Sequence, residues 1–297
     1  MPGLRGSWMF KTGPVDYLET SSVSRSGAAL RFQSLTAVEI NLIALGHPLS
    51  RASGFFVRLL DQLWLVSNFH VFSGRHAETD RCLSGSLAKP TEIKIRFLPT
   101  QSEKEEIKIF NYDVFTYSLY DHNKPLWYMH QLGSEIDVGA LHIASAKSIK
   151  DARPFAIDRS NGDTRVLINR AMRGLRPGSE VFVVGYPDNF ETEGMLPIWK
   201  RGTIASEPLV IGDNARPLLI DCATRSGLSG SPVYVRHTDD GKSFLLPIGV
   251  YASRKPRSDK FDSEVGTVFP FPFIENVLVS GVKPLSFYEN EEDDVHP

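Results

Sequence analysis

From about residue 37 onward the chain is written in short apolar runs that end on glycine, proline or small polar residues. Phe55-Phe56-Val57-Arg58-Leu59-Leu60 and Leu63-Trp64-Leu65-Val66-Ser67 flank Asp61-Gln62, which reads as a tight hairpin turn. Ile93-Lys94-Ile95-Arg96-Phe97 and Ile107-Lys108-Ile109-Phe110 alternate apolar with basic residues, as strands with one buried face do. The charged segment 101–106 turns the chain between them. Further runs at 180–187, 202–205, 217–220, 233–235, 245–252 and 266–269 keep the same rhythm. Many short strands with this punctuation predict an all-β protein built of closed barrels, and they argue against a parallel α/β sheet. The best helix candidate is short, Phe273 to Leu278 near the C-terminus.

At 297 residues the chain has room for one compound domain or two small apposed ones. We divide it into an N-terminal extension (1–36), a first β-barrel (37–150), a connection (151–178), a second barrel with its helix (179–285) and an acidic tail (286–297). The extension shows no sustained period, and Thr20 to Gly27 reads as a loop or linker. A formal charge of −2 offers no basic surface for a polyanion, so nucleic acid is not an expected partner. Cys82 and Cys222 have no C-x-x-C spacing; two reduced thiols are expected, with one long-range bridge left open. Met1 to Lys11 lacks the apolar core of a signal peptide, and Ala37 to Leu45 is broken by Glu39 and Asn41. The expectation is a soluble cytoplasmic protein without a membrane partner.

Three segments carry chemistry, in the order histidine, aspartate, serine. Gly227-Leu228-Ser229-Gly230-Ser231-Pro232 puts a serine between glycines, where a hydroxyl can project from a tight turn and backbone N–H groups can converge. Ser231 competes with Ser229 for that role. His70, in Leu65-Val66-Ser67-Asn68-Phe69-His70-Val71, follows an apolar run and should be partly enclosed, as a general base must be. Asp137 stands between Ile136 and Val138, where a carboxylate needs a partner; orienting a histidine and stabilising its cation would supply one. A turn serine, a satisfied core histidine and a strand-end aspartate are the plain alternatives. No metal-ligand spacing accompanies His70 and His76, and no cofactor is implied.

Together these segments resemble the chymotrypsin-fold (trypsin-like) serine peptidases, especially intracellular and bacterial members without disulfides. Gly249-Val250-Tyr251-Ala252-Ser253 and Gly266-Thr267-Val268 extend the likeness, which runs over roughly residues 38–280. The resemblance implies two apposed Greek-key, six-stranded β-barrels with a short C-terminal helix, and cleavage of polypeptide substrates through an acyl-enzyme. It makes His70, Asp137 and Ser229 the catalytic triad, with Ser229 preferred over Ser231 because the family's nucleophile precedes a glycine such as Gly230. It places the Ser229 hydroxyl within about 3.5 Å of an imidazole nitrogen. The oxyanion hole would be the N–H groups of Gly227 and Ser229. The substrate pocket would have Ala223 at its floor with Thr224 next to it, and Tyr251, Ala252, Ser253 and Gly266 in its walls. With no carboxylate on that floor, the pocket should disfavour lysine and arginine; Arg225 or Arg254 would favour an acidic residue if either points inward, and if both face water the pocket is neutral and suits small or medium apolar residues. Leu228 stands where zymogen-activated members carry an ion-pairing aspartate, so activation by a cut N-terminus is not expected. A regulatory partner is left open. The competing readings are a catalytically inactive barrel that binds or senses, and an α/β-hydrolase. The second fails because His70 comes first and Pro232 opposes a helix after the serine.

Overall fold

The apolar runs pair into two β units that share a junction. The structure, a computed structural model, describes residues 22–25, 28–60, 62–97, 113–143, 155–188, 190, 192, 196–208, 216–223, 225–254 and 265–284. A ribbon of β1 (Ser22–Arg25) and β2 (Ala28–Arg31) leads into a single helical turn, α1 (Phe32–Thr36). The first unit then follows with β3 (Ala37–Ala44), β4 (His47–Leu59), β5 (Gln62–Ser67), a helical turn α2 (Phe69–Ser73), β6 (Glu92–Phe97) and β7 (Asp113–Ser118). After the small ribbon β8 (Tyr120–Asp121) and β9 (Lys124–Pro125), β10 (Trp127–Met129) and β11 (Gly139–His142) complete it. Their order is β10-β11-β5-β4-β3-β6-β7, and β12 (Ala156–Asp158) adds in parallel to β4.

The all-β architecture is as expected, with one difference in the first unit. Among the described residues it is a curled sheet, and only the second unit closes into a barrel. That barrel runs β13 (Glu180–Gly185), β14 (Ile198–Ile204), β15 (Leu218–Asp221), β18 (Val265–Pro270), β17 (Lys242–Arg254) and β16 (Pro232–Asp239), back to β13. The expected strand at 107–110 and the charged turn 101–106 lie outside the described residues, as does the acidic tail. In the β4–β5 hairpin Leu59 pairs with Gln62, so Gln62 already belongs to β5 and not to the turn; Asp61, the other expected turn residue, lies outside the described residues.

Alternation along the strands builds the cores. In β6, Ile93, Ile95 and Phe97 are buried with Ile40, Phe56, Leu65 and Trp127, while Lys94 is exposed. Strand β4 serves two cores at once. Phe56 faces the first unit's interior, whereas Phe55 and Val57 join Val66, Val138 and Ala140 in a cluster that continues into the barrel through Val181, Val233, Val250 and Val268. One continuous apolar interior therefore spans the junction.

Three features depart from the sequence reading. The connection contains a real helix, α3 (Gly162–Arg173), capped by Asn161, whose Oδ1 accepts from Asp163 and Thr164 N–H at 2.9 and 3.2 Å. The segment before residue 37 is anchored: α1 lies on the second unit, with Thr36 Oγ1 and the Tyr234 hydroxyl 2.5 Å apart and Trp199 Nε1 donating to Ser34 Oγ at 2.8 Å. The C-terminal helix, α4 (Phe271–Ser280), is longer than expected and reaches back to the first unit, where Met129 and Val282 exchange backbone hydrogen bonds of 2.9 and 3.0 Å. Among the described residues no helix is long and apolar enough to cross a membrane. Cys82 and Cys222 are unbridged thiols.

Candidate active site

Gly227 and Gly230 bracket the turn that carries Ser229, and both adopt left-handed dihedrals, with φ of +89° and +87°. A β-carbon at Gly227 would sit 2.6 Å from the Tyr186 carbonyl oxygen; one at Gly230 would sit 2.0 Å from that of Ser53. Only glycine lets the turn press this closely on both units. The turn is tied on either side: Ser53 N–H donates to the Ser229 carbonyl at 2.8 Å, and Gly230 N–H to the Tyr251 carbonyl at 2.8 Å. Leu228 is fully buried and pins the turn to the barrel core. The Ser226 carbonyl accepts from Asp188 N–H at 2.8 Å, and in a trans peptide the following N–H points the opposite way. Among the described residues, neither the Gly227 nor the Ser229 N–H donates to a protein acceptor.

Ser229 is half-buried, and its hydroxyl donates to the Ala252 carbonyl at 2.6 Å. It makes no hydrogen bond to His70, so the expected serine–imidazole contact is absent from this rotamer. The carbonyl acceptor accounts for the difference; a turn of χ1 to another staggered well would break that bond. Ser231 is 0% exposed, and its hydroxyl is packed against Gly185 with no hydrogen-bond partner among the described residues. Of the two serines, only Ser229 is reachable.

His70 lies in α2, and Asp137 holds it at two points. Asp137 Oδ1 accepts from His70 N–H at 3.0 Å, and Oδ2 lies 2.7 Å from Nδ1. An ionised carboxylate only accepts, so the proton between them belongs to Nδ1, which leaves Nε2 with its lone pair in the neutral ring. Asn68 Nδ2 donates to the Asp137 carbonyl at 2.8 Å and fixes the strand end that presents the carboxylate. The pairing of Gly139 with Ser67 sets this corner beside the serine turn, because the Ser67 hydroxyl donates to the Ser53 carbonyl at 2.8 Å.

Two residues outside the sequence expectation do much of the holding. Ser53, 0% exposed, donates its hydroxyl to the Gly227 carbonyl at 2.8 Å and accepts from Tyr186 N–H at 2.8 Å. Asn68 is the other. Ser53 stands in Ser50-Arg51-Ala52-Ser53-Gly54, just before the apolar run that starts at Phe55, and nothing local in the sequence signals its burial.

The expected pocket residues divide. The Tyr251 ring, 2% exposed, lies over Gly266, with Cε2 2.5 Å from where a β-carbon there would be. Ala252 is buried beside it, and its carbonyl is the acceptor of Ser229. Ala223 is exposed; Thr224 lies outside the described residues, as does the side chain of Ser253. Arg225 is exposed and stacks over Phe190, its guanidinium carbon 5.3 Å from the ring centroid.

The family profile described as a trypsin-like peptidase domain matches residues 52–241, more than half of the chain. The chain belongs to that family. Solved structures similar to this peptidase domain include Deg5, at 16% identity over 82% of this chain and 86% of that one, with a TM-score of 0.43. Another is the active form of the Rv3671c protease from M. tuberculosis, at 17% identity over 86% and 85% of the two chains, TM-score 0.43. A third is the inactive form of Rv3671c, at 16% identity over 83% and 88%, TM-score 0.38. No curated protein matches.

Proposed function

We propose that this trypsin-like peptidase domain is a serine endopeptidase in which Ser229, His70 and Asp137 act as one triad. The observation that carries the reading is the doubly held His70–Asp137 pair beside a reachable serine whose turn leaves two N–H groups unused. The Ser229 oxygen adds to the peptide carbonyl while its proton passes to His70 Nε2. The developing oxyanion takes the N–H groups of Gly227 and Ser229, each donor supporting the rate by about 10²–10³. Collapse expels the amine, which leaves with the proton from His70. Water, deprotonated by the same nitrogen, then releases the acid and restores the serine. Asp137 stabilises the imidazolium without taking the proton.

A second reading has one observation in its favour. With Ser229 turned onto Ala252 and Tyr251 lying over Gly266, the barrel would bind without cutting. A fluorophosphonate probe separates the two. Covalent labelling of the full chain that disappears in Ser229→Ala supports the enzyme; an unlabelled, folded protein overturns it.

A further inference from the structure

Where the Gly227 end of the serine turn meets the first unit, a cleft of about 140 Å³ opens between the units. One wall carries Pro187, Phe190, Leu196 and Ile198, with Tyr186 and Thr192 among them. The other is the face of β3, β4 and β6 that carries Glu39, Arg51 and Arg96. Register sets this wall. Glu39 pairs with Arg96, and Asn41 lies between Arg51 and Lys94, so Arg51, Lys94 and Arg96 share one side of the sheet with two carboxylates, Glu39 and, at the far end of β6, Glu92.

The charges do not balance. Glu39, buried, is engaged closely by Arg96, while Arg51 Nη1 stands 3.7 Å away, too far for a hydrogen bond. The Arg51 side chain is 42% exposed and makes no hydrogen bond among the described residues. Across the cleft Arg225 stacks on Phe190, and the nearby Asp188 carboxylate is occupied by the Ser226 hydroxyl at 2.6 Å. A planar guanidinium with free donors, facing a largely apolar wall and backed by a surplus positive charge, is a carboxylate receptor.

Its place relative to Ser229 follows from β4. Ser53 donates to the Ser229 carbonyl, and Arg51 lies two residues along the same strand, about 7 Å away. Two residues of the cleft, Tyr186 and Pro187, press on Gly227 of the serine turn, whereas Ala252 and Gly266 do not line it. If the acyl part of a substrate lies along Ala252, the departing part runs toward Arg51 and reaches it with its second residue.

We propose that this cleft is a subsite for a carboxylate at the second residue after the cleaved bond, with Arg51 as its receptor. The inference rests on the endopeptidase reading. The carboxylate can be an acidic side chain or the α-carboxylate of a substrate ending there.

Internally quenched peptides test it, identical except at that residue: glutamate or glutamine with an amidated C-terminus, and glutamine ending there as a free acid. Either carboxylate peptide should exceed its neutral counterpart in kcat/KM by about fivefold, mostly through KM. The excess should vanish in Arg51→Gln and invert in Arg51→Glu, where a lysine peptide becomes the better substrate. Ratios are read within each protein, so a general loss of activity cancels. Glutamate alone preferred identifies a side-chain source, the free acid alone a terminal one. Equal rates for all peptides in a wild-type protein that labels with fluorophosphonate overturn the subsite and leave the enzyme standing. Absence of labelling removes the endopeptidase reading beneath it.

Discussion

Asp137 touches His70 twice and nothing else in the site replaces it. Asp137→Asn should keep the fold and lower kcat about 10⁴-fold, the figure known for the chymotrypsin-type triad, because an amide stabilises the wrong tautomer. Steady-state kinetics against an unchanged melting curve checks this. Ser53→Ala removes a hydroxyl that serves two buried backbone groups at once, the Gly227 carbonyl and the Tyr186 N–H. It should cost about 1–3 kcal/mol in denaturant unfolding and reduce kcat more than it raises KM, since the oxyanion turn loses its brace. If the proposed pocket beside Ser229 is the substrate pocket, the Tyr251 ring over Gly266 fills it, and peptides carrying glycine or alanine before the cleaved bond should be cleaved best. Tyr251→Ala should admit larger apolar residues, and a wild-type profile led by bulky residues would refute the assignment. The three residues proposed as the triad stood out because each breaks a local rule: a histidine after an apolar run, a carboxylate between Ile136 and Val138, a serine between glycines. Ser53 was harder to see because its partners are backbone groups far away in sequence. The Tyr251 ring was legible as a wall and not as a filling, since side-chain direction depends on the β17 bulge between Tyr251 and Arg254.

At the scale of elements, strands with an exposed polar face were readable, and so was the barrel they close. Helix α3 was not, although Asn161 and the buried Thr164, Leu167, Ile168, Ala171 and Met172 carry a cap and a helical spacing. Arg165, Asn169 and Arg173 dilute that pattern to the eye, and the amphipathic stripe emerges only once the cap fixes its start. Helix α4 makes a prediction of its own. His130 lies edge-on to Phe273 of this helix and accepts at Nδ1 from Leu132 N–H at 3.2 Å. Burial holds its imidazole below the ordinary range, because protonation there sacrifices solvation. The unfolded chain therefore takes up the proton first, and stability is lost as pH falls through about 6.5 and below. Melting temperature should drop between pH 7 and pH 5 by more in the wild type than in His130→Asn, which keeps an acceptor without the charge. Equal drops would place the acid sensitivity elsewhere.

Across the whole molecule the two ends of the described chain cross over. Turn α1 precedes the first unit yet buries Phe32 and Leu35 and hydrogen-bonds Tyr234 of the second. Helix α4 follows the second unit yet pairs through Val282 with Met129 of the first, and its Glu275 takes the buried Arg159 guanidinium, Nε to Oε1 at 2.8 Å. Deleting residues 1–36 should cost about 3–6 kcal/mol, from two apolar side chains and an orphaned tyrosine hydroxyl. It should appear as one earlier transition by both fluorescence and circular dichroism. Two separate transitions would mean that the units melt independently. The crossing also bears on inheritance. A recombination that traded one unit for a cousin's would leave a strap without its seat at Tyr234 or a helix without its seat at Met129. Surviving chimaeras should therefore carry the seats along with the clasps, and the two halves should pass through a lineage as a single heritable piece.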